Sequence, residues 1–161
     1  MKTGQGDKPV AGRACVPAAP LRLLHVESHW LSRKVLWWLM KDVPCGWTHA
    51  GSAGEAVALA VPQDGAAAPF DVIIVDHEQT EDDSGLRVVR ALREAGHDGP
   101  VIAVTVDEIT DIEKKRYADL AALLLFLSPG NVDALKTAVA GVVADRTDPR
   151  QEGRGDSGEN Q

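Results

Sequence analysis

Short apolar runs alternating with amphipathic stretches predict an α/β fold, (βα)5, in which a doubly wound, five-stranded parallel sheet carries helices on both faces. The runs are rich in branched residues and nearly unbroken, as strands buried on both faces must be. The stretches between them place apolar residues three or four apart, the spacing of one helix face. Strict alternation of the two leaves little choice but parallel strands joined by right-handed crossovers.

Taken in order, "LRLLHV" (21–26) is the first strand, and a helix follows over 31–42. "GWTHA", ahead of Gly51, is a weaker second strand; Ser52 can cap the helix over 53–60. "VIIV" (72–75) is the third strand, with a helix over 84–95 that starts at Ser84. "VIAVTV" (101–106) precedes a helix over 109–119, and "ALLLFL" (122–127) precedes one over 131–144, where Asn131 is the capping residue.

The chain has 161 residues, enough for one domain with a sizeable core and too few for two. The stretch 1–20 is loosely punctuated by proline and glycine, and 145–161 is nearly devoid of apolar groups. Neither can offset its ordering entropy, so both are expected to be disordered tails around a domain at 21–144. Seventeen basic against twenty-four acidic residues give a net charge of −7, which repels phosphate backbones and argues against nucleic acid as a partner. Cys15 and Cys45 have no metal-ligand spacing and imply no disulfide framework. No apolar run is long enough to span a membrane or act as a signal peptide, so a cytoplasmic location is expected.

In such a sheet functional groups gather where the carboxyl ends of strands meet the loops. The third strand ends abruptly in Asp76, Glu27 holds the matching position after the first strand, and Thr105 lies near the end of the fourth. Adjacent parallel strands lie only about 5 Å apart, so the three converge on one crevice.

The segments "LRLLHVESHWLSRKVLWWLM", "GSAGEAVALA", "FDVIIVDHEQTEDDSGLRVVRALREAG", "GPVIAVTVDE" and "LLLFLSPGNVDAL" resemble, in that order, the landmarks of a response-regulator receiver domain across about residues 21–144. The resemblance implies a flavodoxin-like fold and a bacterial-type two-component phosphorelay, in which a histidine kinase or phosphotransfer protein passes a phosphoryl group to Asp76. It also implies Mg²⁺, held by Asp76, by Glu27 as the first acid of a pair, and by the backbone carbonyl of Glu78. Ser28 stands where the second acid of that pair is expected. Replacing a carboxylate by a hydroxyl removes charge from a cage of hard oxygens, so Mg²⁺ is expected to bind weakly.

Other landmarks are altered. Thr105 matches the switch hydroxyl, but Ser128 takes the place of the lysine that pairs with the phosphoryl group; Pro129 remains after it. Leu125 replaces the aromatic switch residue, and the loop after Asp76 lacks the usual proline; its Glu81, Asp82 and Asp83 read as a solvated stretch. These departures mark an atypical or degenerate receiver. Nothing but a polar tail follows the last helix, so a stand-alone signalling module is expected rather than an enzyme, with output through protein contacts.

Two surfaces are candidates for those contacts. On the first helix Ser32, Val35, Leu36 and Leu39 share one arc, while Trp30, Lys34, Trp37 and Lys41 share the opposite one. Trp30 and Trp37 are either covered by the tails or the neighbouring helix or form a docking surface for the phosphodonor, and Trp38 and Trp47 are assigned to the core. The greasy "LAALLLFL" stretch is a buried strand or a self-associating face, the latter implying a homodimer, beside the basic "EKKRY" (113–117) of the fourth helix. His25 is assigned to the core, and His77 to the opposite side of the strand from Asp76. A phosphorylation-independent adaptor is the alternative function. A phosphohydrolase with Asp76 as nucleophile needs a second aspartate two residues on, where Glu78 stands, and a flavodoxin-like cofactor binder needs a phosphate loop that "ESHWLSRK" does not offer.

Overall fold

The computed structural model describes residues 20–63, 66–78, 84–128 and 130–146, with side chains through residue 142. The tails expected over 1–20 and 145–161 lie outside the described residues, except Pro20 and the last two residues of the final helix. Strands β1 (Leu21–Val26), β2 (Cys45–Ala50), β3 (Val72–Asp76), β4 (Val101–Thr105) and β5 (Leu123–Phe126) form one parallel sheet in the order β2-β1-β3-β4-β5. Helices α1 (Trp30–Leu39), α2 (Ala53–Ala60), α3 (Gly85–Glu94) and α4 (Asp111–Asp119) supply the crossovers, and α5 (Val132–Arg146) follows β5. This is the expected flavodoxin-like, doubly wound topology.

Strand alternation sorts the core into two layers. Leu24, Val26, Ile73, Val75, Val101 and Ala103 pack beneath α2, α3 and Tyr117 of α4. Leu21, Leu23, Val72, Ile74, Ile102 and Val104 pack beneath α1, through Leu36 and Met40, and α5, through Leu135 and Val139. Val72, Ile73, Ile74 and Val75 are all buried, and each such side chain contributes roughly 1.5–3 kcal/mol, which explains the unbroken apolar run. Two polar clamps hold the amino-terminal edge of the sheet. Arg22 donates from both its backbone N and its Nη2 to the buried Asp71 carboxylate. The Arg93 guanidinium donates to the carbonyls of His97, Gly99, Leu120 and Ala121, joining the ends of α3 and α4.

Helix ends vary in quality. Ser52 accepts from the N–H of Glu55, and Thr110 and Glu113 form a reciprocal capping box on α4. Ser84 precedes α3 but makes no side-chain cap, and α1 starts at His29 with no side-chain cap and no acid in its first turn. Asn131 turns its amide toward the preceding loop, accepting from Ser128 N at 2.7 Å and donating to Phe126 O.

Three expectations are corrected. The "ALLLFL" run is not buried on both faces: β5 is an edge strand, and Leu123 and Phe126 are 49% and 47% exposed. Trp38 is not core but 60% exposed, because Leu36 and Met40, four apart, take the inward positions and Trp38 falls about 200° round the helix from Leu36. Helix α1 also ends at Leu39 rather than 42. Trp47 is half-buried against the α1–α5 layer, and His25 is fully buried as expected.

His25 packs edge-on against Trp47 and His49, with ring centroids 6.1 and 5.6 Å away. Burial, then the nearby His49 and Arg33, pushes His25 down to about 3 from 6.5. A proton is therefore taken up by the unfolded chain below about pH 6.5 while the fold refuses it, and stability must fall as pH drops from 6.5 toward 3. At pH 4 this one residue costs on the order of 3 kcal/mol. His25→Leu is expected to flatten the loss of stability between pH 6.5 and 4 in urea titrations; an unchanged slope contradicts the account.

Candidate functional site

Register decides which residues meet. Val26 pairs with Val75, Asp76 with Val104 and Thr105 with Phe126, so the carboxyl ends of β1, β3, β4 and β5 finish together. Asp76 continues the series Val72, Ile74 and thus belongs to the α1–α5 side. His77 belongs to the other side, where its Nδ1 lies 2.7 Å from the buried Tyr117 hydroxyl.

Glu27 is buried at the end of β1, its Oε1 accepting from His29 N at 2.7 Å, and it hydrogen-bonds side chain to side chain with Asp76. The Glu78 N–H donates to Asp76 Oδ1 at 3.0 Å. Burial, then the bond to and charge of Glu27, pushes the Asp76 carboxyl up to about 7 from 3.8; the Glu78 N–H pulls it the other way. Two adjacent carboxyls in a partly dry site cannot both ionise without cost, so Asp76 keeps its proton to higher pH than a free carboxyl does.

The Thr105 hydroxyl lies 2.9 Å from the carbonyl of Asp107 and 3.3 Å from Glu78 Oε1, and it accepts from Asp107 N. It has one proton for two acceptors. Ser128 directs its N–H and its hydroxyl to Asn131 Oδ1, at 2.7 and 3.2 Å. Asp76, Glu78, Thr105 and Ser128 line a single cleft of about 490 Å³ between α1 and the start of α5. Ser28 is half-buried, and its carbonyl accepts from Arg33 Nη2 at 3.0 Å. The altered landmarks at residues 79–83 and at Pro129 lie outside the described residues.

The donor set fits a divalent cation in type: Glu27 and Asp76 are hard oxygen donors whose mutual repulsion such an ion would offset. It is poor in charge. No group of three His, Cys, Asp or Glu side chains placed to hold a metal occurs among the described residues, and the Arg33 guanidinium stands beside Ser28 where a second acid would draw an ion in.

Sequence reasoning missed four participants. Glu78 was expected to offer its carbonyl, yet its side chain reaches Thr105 as well. Arg33 was placed on neither of the two arcs read along the first helix. Tyr117, read as part of a basic cluster, is fully buried, its hydroxyl held above its usual range by burial and the charges of Glu113 and Asp76. Gly85 closes against the end of β3: a Cβ there would fall 2.5 Å from the Asp76 carbonyl oxygen and 2.8 Å from His77 Cα, so only glycine fits. A glycine at the start of the helix that follows the strand ending in Asp76 was the available signal.

No family model and no curated protein matches the chain. Solved structures do. The receiver domain of the histidine kinase CKI1 from Arabidopsis thaliana, complexed with Mg²⁺ and BeF3⁻, matches at 22% identity and a TM-score of 0.62, over 77% of this chain and 90% of that one. Chemotaxis protein CheY4 of Vibrio cholerae matches at 24% identity and 0.60, over 77% and 99%. The signal receiver domain of a LuxO repressor homologue from Vibrio parahaemolyticus matches at 23% and 0.62, over 78% and 92%. The chain therefore has the receiver-domain fold.

Because the folded state raises the Asp76 pKa, it holds a proton that the unfolded chain has released between about pH 4 and 7. Stability from this group is present below 4 and lost as pH rises through 7. Asp76→Asn removes the like-charge conflict, and its melting temperature at pH 8 is expected to exceed that of the unaltered protein by at least about 4 °C, with a smaller gain at pH 5. Equal melting temperatures at pH 8 would rule out the raised Asp76 pKa.

Proposed function

We propose that this protein is an atypical receiver module of a two-component phosphorelay, taking a phosphoryl group onto Asp76 from a histidine kinase or a histidine phosphotransfer protein. The observation that carries the reading is Asp76 itself. It is a carboxylate at the carboxyl end of the central strand, placed at the mouth of an open cleft, with a switch-type hydroxyl on the neighbouring strand.

The chemistry asks for little. An Oδ of Asp76 attacks the phosphorus of a phosphohistidine, the P–N bond breaks, and its electron pair returns to the imidazole, which takes up a proton. The nucleophile must be ionised, so transfer should be faster above pH 7 than below it. Glu27, Asp76 and the Glu78 carbonyl would hold Mg²⁺, which when bound offsets the repulsion between carboxylate and phosphoryl group. Glu27 is kept in place by His29 N, and Thr105 can turn its hydroxyl from the Asp107 carbonyl or Glu78 to a phosphoryl oxygen. Ser128 offers no fixed cation.

The phosphodonor is proposed to dock on α1, where Trp30 and Trp37 are 59% and 53% exposed. Lys34 lies over the Trp30 ring and Lys41 over that of Trp38, stiffening an aromatic and basic surface. The half-exposed Leu123 and Phe126 of β5 are the matching candidates for a homodimer face. A second reading, a phosphorylation-independent adaptor, is favoured by one observation: Thr105 and Ser128 already have hydrogen-bond partners within the chain. If it holds, Asp76→Asn leaves partner binding intact while Trp30→Ala and Trp37→Ala weaken it.

Incubation with acetyl phosphate and Mg²⁺ is expected to add the mass of one phosphoryl group to the intact protein, and none to Asp76→Asn. No mass gain, or labelling that survives in Asp76→Asn, would defeat the phosphoacceptor reading. Ser28→Asp restores the missing acid and is expected to tighten Mg²⁺ by about tenfold or more in calorimetry; no gain would contradict the role given to Ser28.

A further inference from the structure

The cleft that opens on Asp76 is larger and greasier than phosphoryl chemistry requires. Eight of its thirteen lining residues are aliphatic, among them Leu31, Val35 and Leu39 from α1, Val104 from β4, and Leu127 and Val132 toward α5. The polar remainder lies mostly at the strand ends, and includes two carboxylates, Asp76 and Glu78, and the hydroxyls of Thr105 and Ser128. None of the lining residues carries a positive charge. The volume, about 490 Å³, lies in the range of small-molecule sites, in which an apolar body is buried and a few placed polar groups fix orientation.

We infer that this cleft binds a small cationic amphiphile, with its apolar body between Leu31, Val35 and Val132 and its ammonium or guanidinium head against Asp76 and Glu78. Charge complementarity selects the head group: an anion would meet two carboxylates, and a neutral head would leave them uncompensated. Burial of an apolar body supplies affinity, while a charge-assisted hydrogen bond to a half-dry carboxylate supplies selectivity. The ligand and the phosphoryl group compete for the same oxygen, so occupancy of the cleft blocks phosphorylation. The binding itself stands whether or not Asp76 is ever phosphorylated.

The probes are decylamine, decanol and decanoate, each below its micelle-forming concentration, titrated into the full chain and followed by amide NMR at Val35, Val104 and Val132. Decylamine is expected to bind at least about tenfold more tightly than decanol, and decanoate more weakly than either. Asp76→Asn should lower the advantage of the amine while leaving decanol binding in place. Val35→Trp, an exposed position whose replacement does not burden the core, should weaken both by filling the cleft. Ser128→Lys should lower amine affinity by about tenfold by supplying an internal ammonium. Equal affinity for all three probes, shifts that bypass the cleft, an amine advantage untouched by Asp76→Asn, or binding that proceeds only through self-association of the protein would overturn the inference.

Discussion

Burial of β3 on both faces is the constraint from which the rest of the structure follows. A strand flanked by β1 and β4 and roofed by helices above and below has no room for a polar side chain until it leaves the sheet. Its first polar residue is therefore its last, Asp76, and that residue emerges at the one place where neighbouring strands also end. The same burial that compels four consecutive aliphatics keeps the carboxyl half-dry, raises its pKa and makes Glu27 a close and costly neighbour. Fold stability and site chemistry are two effects of one strand.

The order and type of all the elements were legible because unbroken apolar strands and amphipathic helices have different periods, and the two do not blur where strands are central. Legibility failed at the edges. The apolar run of β5 reads like β3, yet an edge strand has a neighbour on one side only, and sequence does not say which strand is last in the sheet. Trp38 was misplaced for a related reason: α1 is apolar on nearly every side, so its sequence does not single out the inward stripe that Leu36 and Met40 occupy. In the site, the strand-end residues Glu27, Asp76 and Thr105 were foreseen from position alone. Arg33, Tyr117 and the Glu78 side chain were not, because their roles depend on how helices and loops fold back over the strand ends.

Helix α1 stands out against this frame. It lacks a side-chain cap at its start and a favourable charge in its first turn, and it leaves five large apolar side chains exposed within ten residues. Its hold on the sheet comes from Leu36 and Met40, and its own Arg33, like His25 of β1 and His49 of β2, has a buried nitrogen with no partner among the described residues. Unmet hydrogen bonds of this kind cost stability. A helix so lightly attached, one wall of the cleft and carrier of the exposed tryptophans, is where a partner or ligand can act on the site with the least energetic resistance.

The strand order has a consequence in time. β1 lies inside the sheet, between β2 and β3, although it comes first in the chain. As the polypeptide emerges from the ribosome, β1 can pair with β2 early, but its other edge stays open until β3 has been made. During that interval an unpaired, strongly apolar strand edge faces solvent, and it invites mispairing with other nascent chains. Completion of β3, ending at Asp76, closes that edge but passes the exposure to the far edge of β3 itself, which stays open until β4 has been made.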